Sequence, residues 1–312
     1  MKKTVVAGGA GFVGSHLCDL LLEKGMQVVC VDNLITGRKS NISHLIGNKN
    51  FKFLELDISK DEIPETGIDY ILNLASPASP VDYQKNPEET ALVNSVGTRN
   101  LLILAHKNKA RFLFASTSEI YGDPLEHPQK ETYWGNVNSY GPRSCYDESK
   151  RFGETLIYIY IHKHDVDARI IRIFNTYGPR MQKNDGRVVS NFINQALENK
   201  PLTIYGDGTQ TRSFCYVSDL VEAIVKAILK DGVKGEVFNL GNPGEFTMLE
   251  LAEKIKNLTD SKSEIVFEPL PKDDPKKRRP DISKAKVDLE WEPKVLVDEG
   301  LRKTIEYYKS SK

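Results

Sequence analysis

The chain carries no surplus of charge. Among its 312 residues, Lys+Arg and Asp+Glu each number 43. A balanced chain gives no reason to expect nucleic acid or an anionic membrane as partner. It also lacks any apolar run long enough to cross a bilayer. The start, MKKTVVAGGAGFVG, has the lysines and short apolar run of a signal peptide. Glycines interrupt the run at once and no small-residue cleavage site follows, so the segment reads as a first strand. Cysteine is scarce. Cys18, Cys30, Cys145 and Cys215 are scattered, with no C-x-x-C pair and no metal-ligand spacing. That pattern predicts reduced thiols, a cytoplasmic protein and no metal site, with Cys145 a small buried filler. Internal repeats, low-complexity tracts and long linkers are missing too. What remains is 39% hydrophobic and 28% charged, the composition of a soluble globular protein with one large or two moderate domains.

The first half alternates two periods. KTVVAG (3–8), MQVVCVD (26–32), FKFLELD (51–57), DYILNLA (69–75), RFLFASTS (111–118) and ARIIRIFN (168–175) read as strands. FVGSHLCDLLLEKG (12–25) and the stretches 87–106 and 143–164 read as helices. Apolar strands alternating with amphipathic helices predict a parallel sheet covered on both faces. Beyond residue 176 the rhythm is irregular. PLTIYG and GEVFNLG look like short strands and FTMLELAEKIKNLT (246–259) like a helix. This predicts a division into 1–175 and a smaller lobe at 176–312, some of whose segments return to the main sheet.

GGAGFVG places Gly8, Gly11 and Gly14 directly between the first strand and the first helix. Such glycines permit a tight turn, let a pyrophosphate approach the backbone and aim a helix N-terminus at its charge. Asp32 ends the next strand, where a carboxylate accepts both ribose hydroxyls of an adenosine and repels a 2′-phosphate. That favours NAD over NADP. Asp57 ends the third strand, placed either to cap a turn or to meet the adenine amino group. Tyr146 and Lys150, in CYDESK, stand four residues apart on one helix face. They are either an ordinary surface pair or a phenol loosened by a cation.

Taken together the segments resemble the extended short-chain dehydrogenase/reductase family, in its nucleotide-sugar branch. The likeness covers nearly the whole chain. It rests on GGAGFVG, VDN (31–33), LNLAS (72–76), NSVGTRN (94–100), ASTSEIYGDP (115–124), YDESK (146–150), RIFNTYGPRM (172–181) and TRSFCYVSDL (211–220). Within the branch, LASPASP (74–80), STSEIYGDP (116–124), CYDESKR (145–151), NDGRVVSNF (184–192) and DDPKKRRPDI (273–282) look like members that decarboxylate UDP-glucuronate. The resemblance implies an α/β fold with a Rossmann-type doubly wound parallel sheet and a smaller α/β C-terminal substrate-binding lobe. It implies a UDP-sugar substrate and NAD that is retained through the cycle. It also implies a homodimer paired through helices that include the catalytic one, with Tyr158 and Tyr160 either interface or core.

The same resemblance assigns roles. Tyr146 becomes the proton acceptor and Lys150 its activator. A phenol working near neutrality needs its anion favoured by about 3 pKa units, about 4 kcal/mol; Lys150 and the nicotinamide charge are the expected sources. Thr117 is the hydroxyl beside Tyr146. Glu119 follows Ser118 where related dehydratases carry an Asp-Glu pair, which disfavours loss of water. Arg278 is the active-site arginine of KKRRPD, orienting substrate or assisting protonation at carbon 5. NAD is expected against Gly8, Gly11, Phe12, Val13, Asp32, Asn33, Asp57, Ile58, Leu74, Ala75 and Ser76, together with Tyr146 and Lys150. The UDP-sugar is expected against Pro77, Ser79, Asn175, Arg187, Val188, Tyr205, Arg212 and Arg278, arginine suiting bidentate phosphate contact. Pro77 and Ser79, in SPASP (76–80), would shape the sugar-carboxylate pocket through backbone N–H groups and serine hydroxyls. The rival readings are a UDP-sugar 4-epimerase running the same NAD cycle and a non-catalytic NAD-binding sensor or scaffold.

Overall fold

The computed structural model describes residues 1–270, 275 and 277–310. Asp273, Asp274 and Lys276 of the DDPKKRRPDI stretch lie outside them. Strands β1 (Lys3–Ala7), β2 (Gln27–Asp32), β3 (Phe51–Glu55), β4 (Tyr70–Asn73), β5 (Arg111–Thr117) and β6 (Ala168–Ile173) form one sheet with a seventh strand, Val237–Leu240. From one edge the order is Val237–Leu240, β6, β5, β4, β1, β2, β3, with every pairing parallel. The order reverses between β1 and β4, the position where open α/β sheets leave a crevice at their carboxyl ends.

The strands are apolar throughout because both faces are covered. On one face Val6, Leu72, Leu113 and Ile171 pack in a core shared with α1 (Phe12–Glu23) and with a later helix, Val217–Leu229. On the other, Val5, Ile71, Phe112 and Phe114 meet helices from the middle of the chain. The expected helix over 87–106 is interrupted. The chain forms α2 (Pro80–Lys85), α3 (Pro87–Leu92), a wider π turn at Val93–Gly97, and α4 (Thr98–Asn108). Asn94 inside that turn donates to Ser76 at 3.0 Å and to Ser149 at 3.1 Å. Such turns are tolerated where a side chain has a job that regular helix geometry would misdirect. Helix α5 (Ser144–His164) carries the Tyr146–Lys150 pair and ends at Asp165 in the left-handed conformation. The sixth expected strand stops at Ile173, short of Phe174 and Asn175.

Small sheets follow. Thr211–Ser213 pairs with Glu245–Thr247 and Lys277–Arg278, setting Arg278 in register with Arg212. Helix α6 (Val188–Leu197) begins next to Arg187. Among the described residues no helix is long and apolar enough to cross a membrane.

Candidate active site

Two connected clefts lie over the carboxyl ends of β1, β4 and β5 and share Val13, Leu74, Ser76, Ala78 and Arg187. The first is lined by each of the residues from Gly8 to Ser76 expected to touch NAD. The glycine turn is built for a ligand's backbone approach. A Cβ on Gly14 would lie 2.1 Å from the Gly8 carbonyl oxygen, so no side chain fits between turn and helix. Gly11 caps α1 without a side-chain hydrogen bond, and no acidic residue occupies the first turn. The leading N–H groups of α1 thus have no carboxylate from the helix's own first turn to neutralise them.

Asp32 is buried, and its oxygens accept N–H bonds from Ala10 (2.9 Å) and Leu34 (2.8 Å). Burial raises its pKa against the pull of those bonds. Asp57 caps its own turn, accepting from the Ser59 backbone at 2.9 Å and hydroxyl at 2.6 Å, while also lining the cleft. A cradle closed to side chains, a helix with no acid in its own first turn and a carboxylate lining the cleft at the end of β2 fit a dinucleotide.

The second cleft, about 530 Å³, holds Thr117, Glu119, Tyr146 and Lys150 together. That volume suits a nucleotide-sugar-sized ligand. Burial pushes the Tyr146 phenol above its ordinary pKa, opposed by a hydrogen bond from Thr117 and by the charge of Arg187. Lys150 Nζ donates to the Ala115 carbonyl at 2.7 Å and lies 5.8 Å from the Tyr146 ring centre. Burial lowers its pKa to about 7, against the attraction of Glu154. Its nearest fixed contact is a carbonyl rather than the phenol.

Glu119 sits between two arginines. Arg143 donates to it at 2.5 Å and Arg278 forms a second, very short contact. Burial would raise its carboxyl, but Arg278, Arg143 and Arg212 outweigh that and hold it at about 2. Arg278 is 1% exposed and also donates to the Gly122 carbonyl at 2.8 Å. Arg279 points away, toward Glu245 at 3.6 Å, so of the two arginines in KKRRPD the first enters the cleft.

Asn175, Arg187, Val188, Tyr205 and Arg212 line this cleft, and Pro77 and Ser79 line its neighbour. Three of these side chains are already engaged, Arg212 by donating to the Thr211 carbonyl at 2.9 Å and to the Pro275 carbonyl. Arg187 makes a two-pronged pair with Asp185 at 2.5 and 2.7 Å. The Ser79 hydroxyl caps α2, accepting from Asp82 N at 3.1 Å and donating to the Asp82 carboxylate at 2.8 Å. The Ser76 hydroxyl is likewise spent on the Pro77 carbonyl at 2.9 Å. The expected serine hydroxyls therefore set the shape of the SPASP turn, leaving backbone groups to face the cleft.

Three neighbours escape a reading of the sequence. Tyr83 stacks on Tyr146 with ring centres 5.1 Å apart and planes within 6°. Arg143 completes the clamp on Glu119. Asp147, adjacent to Tyr146, is buried, and its Oδ1 has no hydrogen-bond partner. Burial, then repulsion from Glu119, raises its carboxyl to about 8. An aromatic three residues after SPASP and an arginine three before Tyr146 are the sequence's only hints of the first two. At the far end of α5, Tyr160 is core and Tyr158 is 63% exposed. Cys145 is half-buried, its thiol 3.6 Å from the Tyr83 carbonyl.

Comparison with known proteins gives a consistent answer. A sequence profile of the NAD dependent epimerase/dehydratase family matches residues 4–241. The chain is 56% identical over 308 residues to UDP-glucuronic acid decarboxylase 1 of Arabidopsis thaliana, covering 99% of this chain and 70% of that one. It is 54% identical over 307 residues to UDP-glucuronic acid decarboxylase 1 of Danio rerio, covering 98% and 72%. A UDP-glucuronic acid 4-epimerase from Bacillus cereus, crystallised with UDP-glucuronic acid and NAD, superposes with a TM-score of 0.90. Its identity is 30%, covering 99% of this chain and all of that one.

Proposed function

The chain belongs to the NAD-dependent epimerase/dehydratase family, and from that premise we infer that it is a UDP-glucuronate decarboxylase producing UDP-xylose. The observation that carries this reading is the identity to decarboxylases over 98–99% of this chain, far above that to the epimerase of the same fold. The site agrees with it. Ser118 stands where related dehydratases carry the aspartic acid of an Asp-Glu pair, so this position offers no acid to protonate a leaving hydroxide.

NAD, bound in the glycine-lined cleft, supplies reversible hydride exchange at carbon 4 of the sugar. Everything else falls to the chain's own groups. Tyr146 takes the proton of the carbon 4 hydroxyl, and the Thr117 hydroxyl orients the reacting oxygen. A ketone at carbon 4 makes the sugar acid a β-keto acid. Electrons released with carbon dioxide then flow into the carbon 4 oxygen, where Tyr146 and Thr117 stand as hydrogen-bond donors. Arg278 and Arg143 place two cations where the sugar carboxylate would sit, and Glu119 fixes both guanidinium groups. Carbon 5 gains a proton; guanidinium is a poor acid, so we assign delivery to water held by Arg278. Arg212 and Arg187 suit the diphosphate, and Tyr205, 41% exposed at the cleft rim, the uracil.

We also propose that the protein is a homodimer. Leu92 and Val96, on α3 and the π turn, and Phe152, Tyr158 and Ile159 on α5 are large exposed apolar groups on three elements that pack side by side. Its four unpaired thiols fit the cytoplasmic location read from the sequence.

Incubation with UDP-glucuronate tests the central reading. Release of carbon dioxide with UDP-xylose is expected. UDP-galacturonate without gas would make the protein an epimerase, and bound NAD without turnover would make it a sensor. Tyr146→Phe should lower turnover on the order of 10²–10⁴-fold while leaving UDP-sugar binding intact.

A further inference from the structure

One segment belongs to neither the glycine turn nor the catalytic helix, yet lies against both clefts. Residues 178–187, GPRMQKNDGR, run from the end of Thr176–Tyr177 to the start of α6. Arg180, Gln182, Asp185 and Arg187 line the dinucleotide cleft from this side, and Thr36 lines it from the loop after β2. The two sides are fastened together. Gln182 Nε2 donates to the Thr36 carbonyl at 2.6 Å, and Arg38 Nη2 donates to the Arg180 carbonyl at 2.9 Å. Further along, His16 meets the Pro179 carbonyl at 2.9 Å and Arg180 pairs with Asp19 at 2.7 Å, both on α1. From behind, the Tyr308 hydroxyl donates to the Met181 carbonyl at 3.1 Å.

Arg180 holds a φ of +67°. A non-glycine residue keeps that conformation only where its surroundings over-determine it, and here contacts to α1, to the loop after β2 and to Tyr308 bracket it on both sides. A segment of irregular chain is thus held closed over a ligand cleft by side-chain bonds to backbone carbonyls, each of which can open without disturbing a strand or helix.

We propose that residues 178–187 form a clasp over the bound dinucleotide, and that the Gln182–Thr36 and Arg38–Arg180 bonds set how long the cofactor stays. This inference rests on the decarboxylase reading in one respect: a cycle that returns its hydride has no use for cofactor exchange, so a slow exit costs nothing in turnover. The clasp also reaches the second cleft, because its last residue is Arg187. A diphosphate drawn to Arg187 leans on the same segment, so UDP slows loss of the dinucleotide.

The test uses the full chain loaded with NAD, passed into NAD-free buffer and assayed over time for retained dinucleotide, with and without UDP. Wild type should hold NAD. Gln182→Ala with Arg38→Met should lose it roughly tenfold to a hundredfold faster, as expected for two hydrogen bonds, and UDP should slow the loss from wild type. Gln182→Ala alone, removing one bond from a surface segment, should give an intermediate rate and guards against misfolding of the double variant. A single cooperative melt on the same samples should show that both variants are folded. Equal release rates for wild type and both variants would overturn the clasp, as would a wild type that fails to retain NAD. Should wild type retain NAD but release no carbon dioxide from UDP-glucuronate, the decarboxylase reading fails and the clasp stands.

Discussion

Single residues in and beside the second cleft have their charge set by burial and by one another. Glu119 stays ionised at about 2 although buried, because Arg278 and Arg143 more than offset the loss of solvent. Removing its charge strands two cations, one of them 1% exposed. Glu119→Gln should therefore cost on the order of 3 kcal/mol, read as a lowered urea midpoint with turnover lost in parallel. Asp147 runs the other way. Its carboxyl is raised from the ordinary 3.8 to about 8 by burial and by Glu119, opposed by Arg143 and Arg278, with Glu148 adding repulsion. Between those values the unfolded chain has released a proton that the folded chain still holds, so Asp147 lowers stability progressively as pH rises from about 4 to about 8. Asp147→Asn should remove that slope. Urea midpoints at pH 5, 7 and 9 should show the variant gaining on wild type at each step; a constant difference would refute the assignment. Neither Asp147 nor Tyr83 could be picked out from sequence. One is an acid in a charged stretch and the other is one tyrosine among 13; only the packing of α2 against α5 gives them a place. Asp32 stands out by its place at the strand end after the glycine turn, whereas the Tyr146–Lys150 spacing alone leaves a surface pair open and only the family resemblance of YDESK singles it out.

At the scale of elements, the catalytic helix is positioned by a close approach. Gly153 of α5 faces Phe114 on β5, and a Cβ there would come within 2.4 Å of the ring and 3.3 Å of the Asn94 carbonyl. Gly153→Ala must push α5 off the sheet, and Tyr146 and Lys150 with it. A loss of about 1–3 kcal/mol is expected, with a larger fall in kcat than in UDP-sugar affinity; unchanged kcat would show that the helix has slack. The π turn works alongside, since Asn94 ties α5 to the SPASP turn through Ser149 and Ser76. Regular apolar spacing made the helices around it readable. The interruption was not readable, because it arises from a side chain reaching partners 18 and 55 residues away.

For the molecule as a whole, the parallel sheet could be anticipated since strands buried on both faces are apolar without alternation. Of the small sheets of the second half only the strand Leu202–Tyr205 is anticipated, from PLTIYG; the others are too short to leave such a trace, yet one of them delivers Arg212 and Arg278 to the cleft in adjacent register. The exposed apolar groups of α3, the π turn and α5 lead to a prediction at this scale. Phe152→Glu with Ile159→Glu should convert a sedimenting dimer to a monomer; a wild type that already sediments as a monomer would refute the pairing. The seventh strand has a separate consequence, one that concerns biosynthesis. β6 borders Val237–Leu240, contributed from more than sixty residues downstream. During translation its outer N–H and C=O groups must wait, bare and ready to zip onto a neighbouring nascent copy, until that late segment clears the ribosome. A chaperone that binds extended chain has its clearest target along this one rim.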